Sequence, residues 1–370
     1  MEPTHMVTNS SAEFHKIQKR RHINIPIFLP QYGCRHCCVY CSQEKITGTT
    51  RLKPDAITND IQSVLKTADR NNSDIEIAFF GGSFTALPQP EMIAYLETAA
   101  AFVRRGEVDS IRLSTRPDAV NEEILDILQT FCVHTIELGI QSMNNHVLEI
   151  CQRGHTAEDS RRACRTIVRR GFALVGQMMT GLPGASLSDE IRTAEEIADM
   201  GASAARIYPT VVFDGTVLGE MTRSGAYLPP SYEESVLRAS AALRIFAEAE
   251  IPVIRIGLCE NESLHTAGGI IAGAYGPSMG EDIRGEVWVF LADKALAALC
   301  PSKGSLVTLF VPSRAVSQVT GKGRKNLQRI KNKYALSEVY VRGCGKLPPW
   351  KLELAVSYNG SESTAYDSCG

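Results

Sequence analysis

No apolar run in the 370-residue chain approaches the ~20 residues that a bilayer span needs. The first 22 residues, MEPTHMVTNSSAEFHKIQKRRH, lack the apolar stretch of a secretory signal. Residues 1–22 are therefore expected to form a flexible tail, and the chain is expected to be cytoplasmic and free of membrane. Net charge is nearly absent too, formally −2, so the total charge announces no polyanionic partner. No internal repeat or low-complexity tract stands out. The eleven cysteines are spread along a chain without a signal, which argues against a disulfide framework. The length suffices for one large α/β domain and a smaller one.

Short β-like runs alternate with longer helical patterns. The strand candidates are INIPIFL (Ile23–Leu29), IEIAFFG (Ile75–Gly81), SIRLST (Ser110–Thr115), HTIELGI (His134–Ile140), ALVGQMMTG (Ala173–Gly181) and SAARIYP (Ser203–Pro209), with PVIRIG (Pro252–Gly257) as a seventh. Most are apolar on both faces, as strands covered by helices are. Between them, apolar residues recur at helical spacing over residues 54–70, 90–105, 156–171, 187–201 and 232–250. Asn121 stands at an N-cap position, and Gly171 and Gly201 stand where a helix C′ glycine belongs. Repeated βαβ units mean right-handed crossovers, and hence either an open doubly wound sheet or a full or partial (β/α) barrel. Both place chemistry at the C-terminal ends of the strands. After Leu264 the composition changes. A boundary is expected near residue 265, so that residues 23–264 form the core and residues 265–370 a small α+β extension. From Lys294 to Ser337 the extension has no acidic residue but carries Lys303, Arg314, Lys322, Arg324, Lys325, Arg329, Lys331 and Lys333. A basic helix face there suits a phosphate backbone, and equally a solvated surface.

One stretch has an unusual density of chemistry. CRHCCVYC, Cys34–Cys41, holds four cysteines in eight residues directly after the first strand. Read as two C-x-x-C pairs, it would be a zinc site, although such pairs normally come from separate knuckles and the adjacent Cys37 and Cys38 point poorly at one ion. A redox pair would leave two thiols idle. Read as C-x-x-x-C-x-x-C, three thiolates, Cys34, Cys38 and Cys41, hold three irons of a cubane and leave the fourth open. Cys132, Cys151 and Cys164 read as small buried hydrophobes, and Cys300, Cys344 and Cys369 as isolated thiols.

C-x-x-x-C-x-x-C after a first strand, with an aromatic residue (Tyr40) before its last cysteine, resembles the signature of the radical S-adenosylmethionine (SAM) enzymes. Other strand ends are similar to that family in the same order. FFGGSFTALP resembles its Gly-Gly-Glu element through Gly81 and Gly82, with Ser83 replacing the glutamate. LSTRPD supplies Ser114 and Arg116, and ELGIQS with CQRGHT supplies Gln141 and Arg153. GQMMTGLPG carries Gln177 where relatives often have aspartate, and ARIYP supplies Ile207 and Tyr208. The resemblance spans roughly residues 23–257. It implies a partial (β/α)6 TIM-like barrel, with a [4Fe-4S] cluster on Cys34, Cys38 and Cys41. It also implies SAM contacts from Tyr40, Gly81, Gly82, Ser114, Arg116, Gln141, Arg153 and Ile207. Cys37 is not required. The implied chemistry is reductive cleavage of SAM to a 5′-deoxyadenosyl radical, fed by a flavodoxin- or ferredoxin-type electron donor. Locally the chain is most similar to the bacterial group resembling the elongator catalytic subunit, and in its core also to oxygen-independent coproporphyrinogen oxidase. The first implies tRNA or other RNA as substrate; the alternative is a small molecule such as a tetrapyrrole. Gln318–Gly323 fits the acetyl-CoA pattern Q-x-x-G-x-G, but the residues after Pro301 are too few for a whole acetyltransferase fold.

Overall fold

The computed structural model describes residues 20–34, 38–42, 53–258, 264, 269–358 and 361–367. Most of the expected N-terminal tail, Cys37 and Cys369 lie outside these residues. Strands β1 (Arg21–Phe28), β2 (Ser73–Phe80), β3 (Ser110–Thr115), β4 (Val133–Gln141), β5 (Ala173–Thr180) and β6 (Ala204–Pro209) stand side by side in chain order. A short strand β7 (Val211–Phe213) leaves this sheet, and β8 (Val253–Ile256) completes it as the seventh, edge member. Every neighbouring pair is parallel. Because the order never reverses, each crossover steps the same way and the sheet curls into part of a barrel. A doubly wound sheet would have a switch point. The parallel order therefore settles the alternative that periodicity left open.

The two faces of the sheet differ as strand alternation requires. One face carries Ile25, Ile27, Ile75, Ile77, Ile111, Leu113, Ile136, Leu138 and Ile140, all buried in one core beneath the helices. The other face lines the lumen of the half-barrel. The helices against the sheet include α1 (Ile57–Leu65), α2 (Gln89–Arg104), α3 (Glu122–Thr130), α4 (Asn145–Ile150), α5 (Ala157–Arg169) and α6 (Leu187–Asp199). α7 (Val217–Arg223) and α8 (Tyr232–Glu248) follow. Their ends follow local rules. Asn121 accepts from Ile124 N at 2.8 Å, Thr156 with Asp159 and Ser186 with Asp189 form capping boxes, and Gly171 and Gly201 take φ of +82° and +81°.

The expected break at residue 265 does not separate two cores. Strand β9 (Ile270–Gly273) returns to pair with β7. Helix α9 (Met279–Leu299) then buries Met279, Ile283 and Val287 in the barrel core and Trp288, Ala292 and Leu296 in a second core. That second core lies under a four-stranded sheet of order β11 (Glu338–Cys344), β10 (Leu306–Pro312), β12 (Glu353–Tyr358) and β13 (Ser361–Asp367). Helices α10 (Val316–Thr320) and α11 (Lys325–Lys333) connect β10 to its parallel neighbour β11. The extension is α+β, and it begins within α9 rather than before it. Among the described residues no helix is long and apolar enough to cross a membrane.

The basic face expected on the extension is largely spent on internal ion pairs. Lys325 meets Asp282 at 2.6 Å, Arg329 meets Glu286 at 2.7 Å and Lys333 meets Asp293 at 2.6 Å, so α11 lies along an acidic stripe of α9. Arg324 and Lys331 both reach Glu338 at 3.2 Å. Gln318 of the Q-x-x-G-x-G run is similarly engaged. Its amide accepts from Trp288 Nε1 at 3.2 Å and donates to Glu281 at 3.3 Å, so this run packs α10 against α9.

Candidate active site at the strand ends

Two loops interlock above β1 and β2. Gln31 N donates to Gly81 O at 2.8 Å, and Ser83 N donates to Tyr32 O at 2.9 Å. A Cβ on Gly33 would lie 2.3 Å from Ser83 O, and one on Gly82 would lie 2.3 Å from Tyr32 O, so both positions exclude any side chain. The turn after Gly82 is anchored from below by Phe84, stacked on Phe79 with centroids 4.5 Å apart. This seats Cys34 against the second loop, where Ser83 Oγ lies 3.4 Å from Cys34 Sγ. Ser83 is only 1% exposed.

The next part of the cysteine loop is fixed through Val39. Its N–H donates to Cys151 O at 3.2 Å, and its carbonyl accepts from Leu218 N at 2.8 Å. Cys38 is thereby carried into the interior, where two guanidinium groups converge on its sulfur. Arg153 Nη1 lies at 3.1 Å and Arg116 Nη1 at 3.9 Å. Arg153 is held by Gly139 O at 2.6 Å, and Arg116 by Asp118 at 3.0 Å and by the carbonyl of Arg153. Cys151, read from sequence as a buried hydrophobe, is buried beside this loop, and burial pushes its thiol up to about 12. Cys164 is buried as well, but Cys132 is exposed, because it turns the chain out of α3 with φ of +60°.

Gln141 ends β4 at a register shift, with φ of +67° and 5% exposure. A non-glycine residue held there costs backbone strain, which concentrates at functional sites. Its amide and the Arg153 guanidinium meet over Gly139, where a Cβ would lie 2.9 Å from one and 3.4 Å from the other. Sequence reading paired Gln141 with Arg153, and the two side chains are neighbours. Among the described residues, Gln141 Oε1, Arg153 Nε and the Tyr40 hydroxyl are enclosed without a hydrogen-bond partner. Burial holds the Tyr40 phenol well above its ordinary range, hence protonated. Behind the arginines sits His155, whose side chain is fully enclosed with Nδ1 4.0 Å from Asp118. Burial first, then the charges of Arg153 and Arg116, lower its pKa to about 3 and keep it neutral.

The loop after β5 is braced from three sides. Glu190 of α6, 2% exposed, accepts from Gly181 N at 2.6 Å and from Arg238 of α8 at 2.7 Å. Arg238 also donates to Ala185 O, and Tyr227 Oη donates to Gly181 O at 2.6 Å. None of Glu190, Arg238 and Tyr227 was singled out from the sequence, where they look like ordinary helix and loop residues. Ile207 was named from the resemblance together with Tyr208. Its side chain is wholly buried in the helix-side core, because strand parity turns it away from the lumen. Its neighbour Tyr208 is the residue on the lumen face. Ser114 faces the lumen, with its hydroxyl donating to Phe79 O at 3.3 Å.

The lumen floor is a buried ion network missing from the sequence reading. Arg112 bridges Glu76 at 2.8 Å and Glu137 at 2.9 Å, and Arg206 meets Glu137 at 2.7 Å. Arg206 also stacks over Phe80 at 5.1 Å. Above it, Phe28, Phe80, Ser114, Gln177, Met179 and Tyr208 form a half-buried wall. Arg255 stands on the same face at the edge strand. Its Nε donates to Gly257 O at 3.1 Å, and among the described residues no carboxylate pairs with it.

Among the described residues no three His, Cys, Asp or Glu side chains converge at metal-binding range. The donor set nevertheless fits an iron–sulfur cluster with a polar cofactor beside it. Three thiols share one loop, two cations face one of their sulfurs, and three enclosed polar atoms border the same space.

The chain is 31% identical over 205 residues to an uncharacterized protein of Methanocaldococcus jannaschii, covering 54% of this chain and 60% of that one. It is 33% identical over 127 residues to the tRNA uridine(34) acetyltransferase of the same organism, covering 34% of this chain and 24% of that one. The chain thus spans from about a quarter to three fifths of these relatives. The archaeal Methanocaldococcus infernus Elp3, solved with an N-terminal deletion, superimposes with a TM-score of 0.56 at 20% identity, over 75% of this chain and 64% of that chain, and shares the fold. Residues 28–197 match the family model of the Radical SAM superfamily and residues 202–288 that of the Radical_SAM C-terminal domain. Together these matches take up well over half of the chain, which is a radical SAM enzyme with a [4Fe-4S] cluster and SAM as its cofactors.

Proposed function

We propose that this enzyme modifies a base in RNA, with tRNA as the substrate. Cys34, Cys38 and Cys41 would hold the cluster by three of its irons. When bound and reduced, the cluster would supply the electron for reductive cleavage of SAM. The chain's own residues orient and enclose. Arg153, fixed by Gly139 O and Cys38, would present its fork to the SAM carboxylate, and Gln141 would reach the ribose. The backbone at Gly81 and Gly82 would meet the ammonium, and Tyr40 would lie near the adenine. Ser114 and Arg116 would frame the same space from the end of β3. Tyr208, on the lumen face of the same strand end, would border the substrate space.

The balance of charge in the lumen carries the choice of substrate. Arg112 and Arg206 are already compensated by Glu76 and Glu137, and the wall above them is aromatic and neutral-polar. A flat, uncharged base can stack on Phe80 or Tyr208 and find hydrogen bonds at Gln177. Arg255, which has no carboxylate partner among the described residues, suits one backbone phosphate. A tetrapyrrole bearing several carboxylates would bury anions without partners there. The tRNA-acting relative supports the same choice. The test is anaerobic reconstitution with iron, sulfide and dithionite, then incubation with SAM and total tRNA. Formation of 5′-deoxyadenosine together with a new modified nucleoside by mass spectrometry supports the reading. 5′-Deoxyadenosine with every nucleoside unchanged sinks the RNA assignment.

A further inference from the structure

The geometry points to Ser83 as a positioning residue that sets the reduction potential of the cluster through a hydrogen bond to the sulfur of Cys34. Three observations carry it. The hydroxyl lies 3.4 Å from Cys34 Sγ, within range for a sulfur acceptor. It is almost wholly buried, so water does not compete for it. And its place is dictated by the backbone: Ser83 N is bonded to Tyr32 O, and Ser83 O stands so close to Gly33 that no side chain fits between them. The two loops cannot slide without breaking that interlock, so the hydroxyl and the sulfur are held as a pair.

The chemistry follows from the residue type. A thiolate that ligates iron has no proton to give, so the serine must be the donor. A donor to a cluster sulfur stabilises the reduced state, which carries one more negative charge, and so raises the potential. A carboxylate in the same place could only accept, and would oppose reduction. The one residue at which this chain leaves the Gly-Gly-Glu pattern is thus the residue whose side chain contacts a ligating cysteine. Cys38 has Arg153 and Arg116 as its cations, whereas among the contacts described for Cys34 the donor is Ser83.

The test uses the full reconstituted chain and does not require a substrate. Iron and sulfide content of the wild type is measured first; a chain that takes up neither overturns the cluster assignment and this inference with it. EPR-monitored redox titration then compares wild type, Ser83→Ala and Ser83→Thr. The expected result is a more negative potential for Ser83→Ala at unchanged iron content, with Ser83→Thr, which keeps the hydroxyl, restored to the wild-type potential. An unchanged potential in Ser83→Ala overturns the inference. If Ser83→Ala takes up no iron, Ser83→Thr decides: cluster and wild-type potential both retained support it, and loss of either overturns it.

Discussion

Two groups of cations on this chain differ both along the sequence and in the fold. Arg116 and Arg153 are buried, lie in isolated loop positions and converge on one sulfur. The cations of α11 are clustered in sequence, yet Lys325, Arg329 and Lys333 each face a carboxylate of α9. Density of positive charge along a chain is therefore no measure of the charge offered to a ligand. What counts is whether the fold has already supplied the counter-charge. The lumen sits between the two cases, with strong charges deeply buried and mutually satisfied.

The contrast can be tested from its strongest element downward. Alanine at Cys34, Cys38 or Cys41 should abolish cluster uptake, read as iron and sulfide content after reconstitution, while Cys37→Ala keeps it; equal loss at all four would return the zinc reading. Next, Glu137→Leu leaves Arg112 and Arg206 facing each other without their shared carboxylate. Breaking such a buried network from one side should cost about 3–5 kcal/mol in urea unfolding. A smaller effect belongs to His155. The unfolded chain protonates near 6.5 and the folded one only near 3, so between these values the unfolded state holds the extra proton. Stability should fall as pH drops through that window, and His155→Met should flatten the difference in a pH series of thermal melts. Last, Arg329→Ala should cost no more than about 1 kcal/mol, as half-exposed pairs do, and should leave filter binding of tRNA unchanged. A large loss of binding there would mean that α11 is a nucleic-acid face after all.

Much of the barrel was legible because it is written locally. Buried parallel strands are continuous apolar runs, and caps such as Asn121 and Gly171 declare themselves within a few residues. The cysteine motif stood out because it directly follows β1, and Gln141 and Arg153 because they flank the short helix that follows β4. What escaped reading depends on distance or parity. Helix α9 does not stand out among the helical patterns of the sequence because it buries apolar residues toward two cores and so shows no single stripe. The α9–α11 ion pairs join residues some forty positions apart. Glu76, Arg112, Glu137 and Arg206 sit one on each of four strands, and only the register brings them together. Ile207 and Tyr208 were named together at the end of one strand, and only the parity of that strand separates them, Ile207 into the helix-side core and Tyr208 onto the lumen face.

The shared helix α9 has a mechanical consequence. One continuous rod carries Met279, Ile283 and Val287 into the barrel and Trp288, Ala292 and Leu296 into the terminal sheet. Neither body can melt or tilt without dragging the other, so the chain should unfold as one cooperative unit. A push on the terminal sheet would arrive, through this rod, beside the edge strand that carries Arg255.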